Sequence, residues 1–174
     1  MEGFLNPQEI LKELELRKDM VAADFGSGSG GWAIPLAKRL TDGKVYAIDI
    51  LEEPLSALKN KSGVEGIVNI ETIRSDIESK NSSTLKDNCL DLVLITNLLF
   101  QTEDKKLVLT ESKRVLKKGG KVLVVDWNPE ADFGPEVKKV SSEEIKKFAK
   151  ETGFNLVKEF KAGDYHFGLI FTKN

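Results

Sequence analysis

The sequence predicts an α/β three-layer sandwich, with helices on both faces of a mostly parallel sheet. Residues 20–31, Met-Val-Ala-Ala-Asp-Phe-Gly-Ser-Gly-Ser-Gly-Gly, give the first indication. A run of small and β-branched residues ends in an acid, opens into a turn at Gly26, Gly28, Gly30 and Gly31, and gives way to Trp32–Ala37 at helical spacing. Two more apolar runs, Lys44–Asp49 and Cys89–Ile95, are short and nearly continuous, as strands buried on both faces are. The 174 residues are read as one domain, with an N-terminal helix within 1–17, a ligand-binding core over 18–127, and a substrate-side loop, helix and hairpin over 128–174.

In chain order, Asn6-Pro7-Gln8-Glu9 has the form of a helix start, with Asn6 as N-cap and Pro7 at the first helical position. Ile10, Leu11, Leu14 and Leu16 follow at helical spacing. The first strand is read over 18–25 and the first crossover helix over 31–40. Asp42-Gly43 then turns the chain into the second strand, Lys44–Asp49. A helix over 53–61 ends near Ser62-Gly63, and residues 66–74 form a third strand. Cys89–Ile95 is the fourth strand, central in the sheet. Thr102-Glu103-Asp104-Lys105 opens a helix to about Leu116, which Gly119-Gly120 closes with a left-handed turn before the fifth strand, Lys121–Trp127. Ser141-Ser142-Glu143-Glu144 is a capping box for a helix ending at Thr152-Gly153. Phe154–Phe160 and Tyr165–Thr172 are two strands joined by too few residues for a crossover helix, and so make a hairpin.

Composition narrows the function. Lys plus Arg number 26 against 28 Asp plus Glu, a net charge of −2, so no global basic field favours nucleic acid. The single cysteine, Cys89, excludes an intramolecular disulfide framework and, with one histidine in the chain, leaves no ligand set for a structural zinc; its apolar neighbours make it a core residue. No signal peptide or bilayer-spanning run is legible, and the chain is read as cytoplasmic, without membrane insertion.

The glycine loop has two readings. Gly26, Gly28 and Gly31 fit the dinucleotide spacing G-x-G-x-x-G, which would seat a pyrophosphate on amides at a helix N-terminus. Asp24, Gly26, Gly28 and Gly30 fit D-x-G-x-G-x-G, in which an acid at the strand end suits a cationic ligand. Asp49 stands about 20 residues beyond Gly28, the offset at which an acidic side chain receives ribose hydroxyls. The same residue also suits an N-cap for the helix that follows. Asp76 falls on the same rim and would accept from an adenine amine while Ile77 packs on the ring; alternatively it caps the short turn Ile77–Ser83.

The ordered set of the Asp24–Gly30 loop, Asp49, Asp76, Leu90–Asn97 and Arg114-Val115-Leu116-Lys117-Lys118-Gly119-Gly120-Lys121-Val122 resembles class I S-adenosylmethionine-dependent methyltransferases of the small UbiE-like or type 11 group. The family's first motif usually reads Gly-Cys-Gly-Thr-Gly, and this chain keeps the glycines in Gly26-Ser27-Gly28-Ser29-Gly30. Where histidine is frequent after the fourth strand, it carries Phe100-Gln101. The resemblance implies a Rossmann-like, seven-stranded sheet whose last strand is antiparallel. It also implies S-adenosylmethionine as cofactor, with S-adenosylhomocysteine as product, and methyl transfer by in-line displacement. Asp24, Gly26, Ser27, Gly28 and Gly30 would hold the methionine end, Asp49 and Ile50 the ribose, Asp76 and Ile77 the adenine, and Asn97 the region near the sulfonium.

The acceptor side is read from position on the rim. Loop 128–140 would form a substrate lid, with Asp126, Trp127, Tyr165 and His166 in the acceptor pocket, His166 and Asp126 as the candidate catalytic residues, and His166 as the candidate general base. The acceptor is read as a small molecule, with protein and RNA as further classes. Two rival readings stand beside this one. An NAD-type oxidoreductase would use the same loop and Asp49 but gives no account of Asp24. A non-catalytic scaffold module would present Phe100, Trp127 and Phe133 as an exposed apolar patch.

Overall fold

A computed structural model describes residues 5–174; residues 1–4, within the segment read as an N-terminal helix, lie outside the described residues. Strands β1 (Val21–Phe25), β2 (Lys44–Asp49), β3 (Ile70–Arg74), β4 (Leu90–Thr96), β5 (Leu116–Trp127), β6 (Phe154–Lys161) and β7 (His166–Lys173) form one sheet in the order β3-β2-β1-β4-β5-β7-β6. The pairs from β3 to β5 are parallel, and β7 runs antiparallel to both β5 and β6. This is the Rossmann-like sheet that the family resemblance implies, including the hairpin that puts an antiparallel strand at its C-terminal end.

Alternation along the strands explains the layers. In β4, Leu92 and Leu94 face one way and Val93 and Ile95 the other, all four fully or nearly fully buried. Leu92 and Leu94 meet the first helices, α1 (Pro7–Ile10) and α2 (Ala33–Arg39), and Leu58 of α3 (Glu52–Val64). Val93 and Ile95 meet α4 (Lys105–Val115) and α5 (Ser142–Thr152) through Val108, Leu109, Val115, Ile145 and Ala149. A strand sandwiched in this way has no polar face, which is why its sequence reads as a continuous apolar run.

Three local expectations are revised. Asn6 does cap a helix, its Oδ1 accepting from the amides of Gln8 (3.1 Å) and Glu9 (3.4 Å). That helix lasts one turn, tightens into a 3-10 turn at Leu11–Glu13, and gives way to extended backbone at Leu14. The Ile10, Leu11 and Leu14 spacing is nevertheless right for burial, since all three are inward. Farther along the chain, α3 runs on through Ser62 and Gly63, where the sequence suggested an end. Gly119-Gly120 closes no helix: α4 stops at Val115, Leu116 already pairs with Leu90, and Gly119 sits at φ +76° beside a shift of register in β5.

The crossover from β3 to β4 contains no helix. Its turn-rich course is tied to α4 by Glu111, a nearly fully buried carboxylate that accepts from the Ser83 amide (3.0 Å) and from Arg114 (2.7 and 2.8 Å). Burial alone would push Glu111 up, but the Arg114 and Ser83 hydrogen bonds outweigh it and hold its pKa below the usual range.

Candidate active site

Four strands deliver the site. The sheet's connectivity reverses between β1 and β4, and in such sheets the crevice beyond the carboxyl ends receives ligands. A cleft of about 400 Å³ lies there, lined after β1 by Gly26 and Gly28, around the end of β2 by Ile48–Leu51, after β3 by Ser75–Glu78, and after β4 by Leu98, Gln101 and Thr102. A cleft of about 380 Å³ at the opposite end of the sheet is lined by Lys117 and Lys121, which are paired with Asp91 and Glu15; none of the buried unpartnered polar atoms lies in it.

Asp49 organises the first cleft. Its Oδ2 accepts from the Gly28 amide (2.8 Å) and its Oδ1 from the Leu51 amide (3.0 Å), so it ties the glycine loop to the turn before α3; the N-cap of that helix is Leu51, not Asp49 as the alternative reading expects. Each carboxylate oxygen keeps a second lone pair for a ligand hydroxyl. Asp76 caps its turn through the Glu78 amide (3.0 Å), as one of its two readings expects, and it lines the cleft beside the buried Ile77. Ile50 is half exposed at the mouth.

The glycines do different work. Gly30 (φ +90°) is packed so closely that a Cβ would lie 2.3 Å from Cδ1 of the fully buried Leu58, whereas a Cβ on Gly28 (φ +52°) would meet no protein atom within 4 Å. Gly30→Ala is therefore expected to lower unfolding stability by about 1–3 kcal/mol in urea titrations. Gly28→Ala should cost only about 1 kcal/mol of backbone strain and instead weaken ligand binding, because its methyl group enters the cleft.

Beneath the loop, Asp24 is fully buried, and neither carboxyl oxygen has a hydrogen-bond partner. Burial, and then the charge of Asp49, push its pKa up to about 8, with the Ala33 amide opposing. Two neighbouring expected groups are also buried and unpartnered: Ser27 Oγ, and Oδ1 of Asn97, a residue at φ +49°. Asp24, Ser27 and Asn97 underlie the loops rather than line the cleft, and Gly30 opens onto its outer side.

The sequence reading missed a clasp. Glu78 Oε1 accepts from the amides of Glu103 (2.6 Å) and Asp104 (2.9 Å), joining the loop after β3 to the start of α4 across the cleft. Thr102, which lines the same side, was also unforeseen.

Among the acceptor-side residues, Asp126 is fully buried and spends its oxygens on the amides of Phe100 (3.2 Å) and Trp127 (2.8 Å). It positions the loop after β4. Burial raises its pKa to about 6 against those amides and the charge of Lys105. His166, paired in register with Trp127, stacks on it at 4.0 Å between ring centroids. Phe100 packs on the α4–α5 core while Trp127 packs on His166, and both are half-buried, so Phe100, Trp127 and Phe133 do not form one exposed patch.

A family profile described as a methyltransferase domain matches residues 16–164. The chain belongs to the methyltransferase-domain family. This methyltransferase-domain chain is 32% identical over 120 residues to a demethylmenaquinone methyltransferase of Staphylococcus aureus (strain MRSA252), a match covering 68% of this chain and 48% of the relative. A demethylmenaquinone methyltransferase of Geobacillus kaustophilus (strain HTA426) is 28% identical over 128 residues, 73% of this chain and 53% of that one. The chain thus spans about half the length of the curated relatives it matches. Among solved structures, a SAM-dependent methyltransferase from Aquifex aeolicus superposes with a TM-score of 0.89 at 28% identity, covering 98% of this chain and 90% of that one. The [4+2]-cyclase SpnF, at 14% identity and a TM-score of 0.83 over 96% of this chain and 80% of its own, shares the fold alone. No helix among the described residues is long and apolar enough to cross a membrane.

Proposed function

We propose that this chain binds S-adenosylmethionine in the cleft beyond β1–β4 and catalyses transfer of its methyl group to a small acceptor of the quinone type. The observation that carries the reading is Asp24. A buried carboxyl with no partner, set under a glycine loop, is a costly feature that an approaching ammonium group would relieve. A pyrophosphate at the same loop would bring no positive charge to Asp24, which disfavours the NAD reading.

When bound, the cofactor supplies a methyl group already activated on a positively charged sulfur. The protein's part is to hold and to exclude. Asp24, Ser27 and the amides of the 26–30 loop would take the methionine end, Asp49 the ribose hydroxyls, with Ile50 at the mouth, Asp76 and Ile77 the adenine, and Asn97 the neighbourhood of the sulfur. The apolar lining of Ile48, Ile77 and Leu98 keeps water from the reacting atoms. Asp126 holds the loop that carries Asn97 and Phe100. The activity for which the bacterial relatives are named and the aromatic surroundings of Trp127 support a quinone-type acceptor.

Calorimetric titration with S-adenosylmethionine, S-adenosylhomocysteine and NAD tests the cofactor; labelled methyl transfer to a panel of reduced naphthoquinones tests the acceptor. Binding of NAD without the other two would overturn the reading.

A further inference from the structure

The loop between β5 and α5 folds back over the carboxyl end of β5. Its Phe133 ring lies 6.2 Å from the Trp127 ring and 5.0 Å from the Tyr165 ring, between centroids. Gly134 follows at φ +124°, so close to Trp127 that a Cβ would come within 2.6 Å of its Cε3. Lys139 fastens the arrangement, its ammonium donating to the carbonyls of Ala131 and Phe133 at 2.9 Å each.

Two features of this cluster bear on what it could receive. His166 is 6% exposed, yet neither ring nitrogen has a hydrogen-bond partner. Buried polar groups without partners are rare in folded proteins, and each raises the question of what it is kept for. Phe133, meanwhile, covers an aromatic floor while leaving 50% of its own surface exposed, so it gains only part of the benefit of burial. Burial and the charge of Lys139 together push the His166 pKa down to about 4, so the imidazole is neutral at physiological pH and offers one N–H donor and one lone pair. A hydroxyl group needs one of each.

We propose that Phe133 is a plug standing where the acceptor's ring goes: loop 128–140 is a lid latched by Lys139, and a planar hydroxyarene displaces Phe133, stacks on Trp127 and gives His166 its missing hydrogen-bond partner. The proposal rests on the methyl-transfer reading only for what happens to that ring afterwards. It makes the closed lid self-inhibitory, and it assigns His166 to acceptor binding through hydrogen bonds rather than to proton storage.

The test titrates 1-naphthol into protein saturated with S-adenosylhomocysteine, using wild type, Phe133→Ala, Lys139→Met and His166→Phe. Phe133 is half exposed on a loop and Lys139 donates to two loop carbonyls, so both variants spare the core. Removing the plug or its latch should raise naphthol affinity about three- to tenfold, the worth of one aromatic pair. His166→Phe should lower it by at least as much, and S-adenosylhomocysteine affinity should be the same in all four proteins. A fall in naphthol affinity in Phe133→Ala would make Phe133 a wall and overturn the proposal, as would unchanged affinity. If naphthol binds none of the four while S-adenosylhomocysteine binds all, the slot is refuted and the cofactor reading stands. Failure of S-adenosylhomocysteine to bind refutes that reading and the proposal with it.

Discussion

Asp49→Ala is expected to weaken S-adenosylhomocysteine binding by at least about a hundredfold, since two hydrogen bonds from ribose hydroxyls to a charged acceptor are worth about 1.5–3 kcal/mol each. The loss goes beyond direct contacts. The Gly28 and Leu51 amides lose their acceptor, so the glycine loop and the turn leading into α3 both loosen. Removing the Asp49 charge also withdraws one of the two influences that raise the Asp24 pKa, so Asp24 should ionise at lower pH in the variant. Calorimetry gives the affinity and thermal unfolding gives the cost to the fold. Asp49→Asn, which can keep one amide satisfied, should fall between the two. A loss of less than about tenfold in Asp49→Ala would remove Asp49 from the ribose site.

Binding of S-adenosylhomocysteine should depend on pH with a maximum somewhat above pH 8. The receptive state pairs an ionised Asp24, whose pKa is about 8, with a protonated ligand α-amino group, which beside its own carboxylate titrates higher than a chain terminus. Affinity should therefore rise about fortyfold between pH 6 and pH 8 as Asp24 loses its proton, and decline at higher pH as the ligand loses its own. Asp24→Asn should bind weakly at every pH and lack the acid limb. A flat profile in the wild type would sink the assignment.

Stability moves in the opposite direction. Because the folded pKa of Asp24 lies above the unfolded value, the folded chain holds a proton that the unfolded chain has released between about pH 4 and pH 8. The contribution of this group is thus full below about pH 4 and is lost as pH rises toward 8, on the order of 4 kcal/mol by pH 7. Asp24→Asn should remove that slope from urea unfolding measured across the range. The residue that equips the site for a cation is also the one that weakens the fold at neutral pH.

How much of this was legible depended on how local each cause was. β2 was readable residue for residue, and α5 by its capping box, because Ser141 Oγ does accept from the Glu144 amide (3.2 Å) and Gly153 does take a left-handed conformation at φ +84°. Asp49 and Asp76 were legible as rim residues because parallel strands gather whatever follows each of them at one edge. The end of the first helix was not, since the spacing of Ile10, Leu11 and Leu14 is satisfied equally by a helix that continues and by one that tightens and stops. The fate of Gly119-Gly120 was decided by Leu90, a distant residue whose pairing with Leu116 overrides the helix-ending pattern. The Glu78 clasp joins loops 25 residues apart, and the Phe133 contacts depend on how a loop folds back; neither leaves a pattern in adjacent residues.

The placing of β7 bears on how the chain is made. It is the last strand in chain order, yet it sits inside the sheet, between β5 and β6. While a ribosome is still adding residues 128–165, β5 has an open edge and β6 has no partner in the sheet. Val122, Val124 and Phe154 wait for Leu169 and Phe171 to complete the core they share. The sheet therefore closes in one late event, and a nascent chain stalled just short of His166 carries two adhesive edges at once, a species that chaperones should hold and proteases should find.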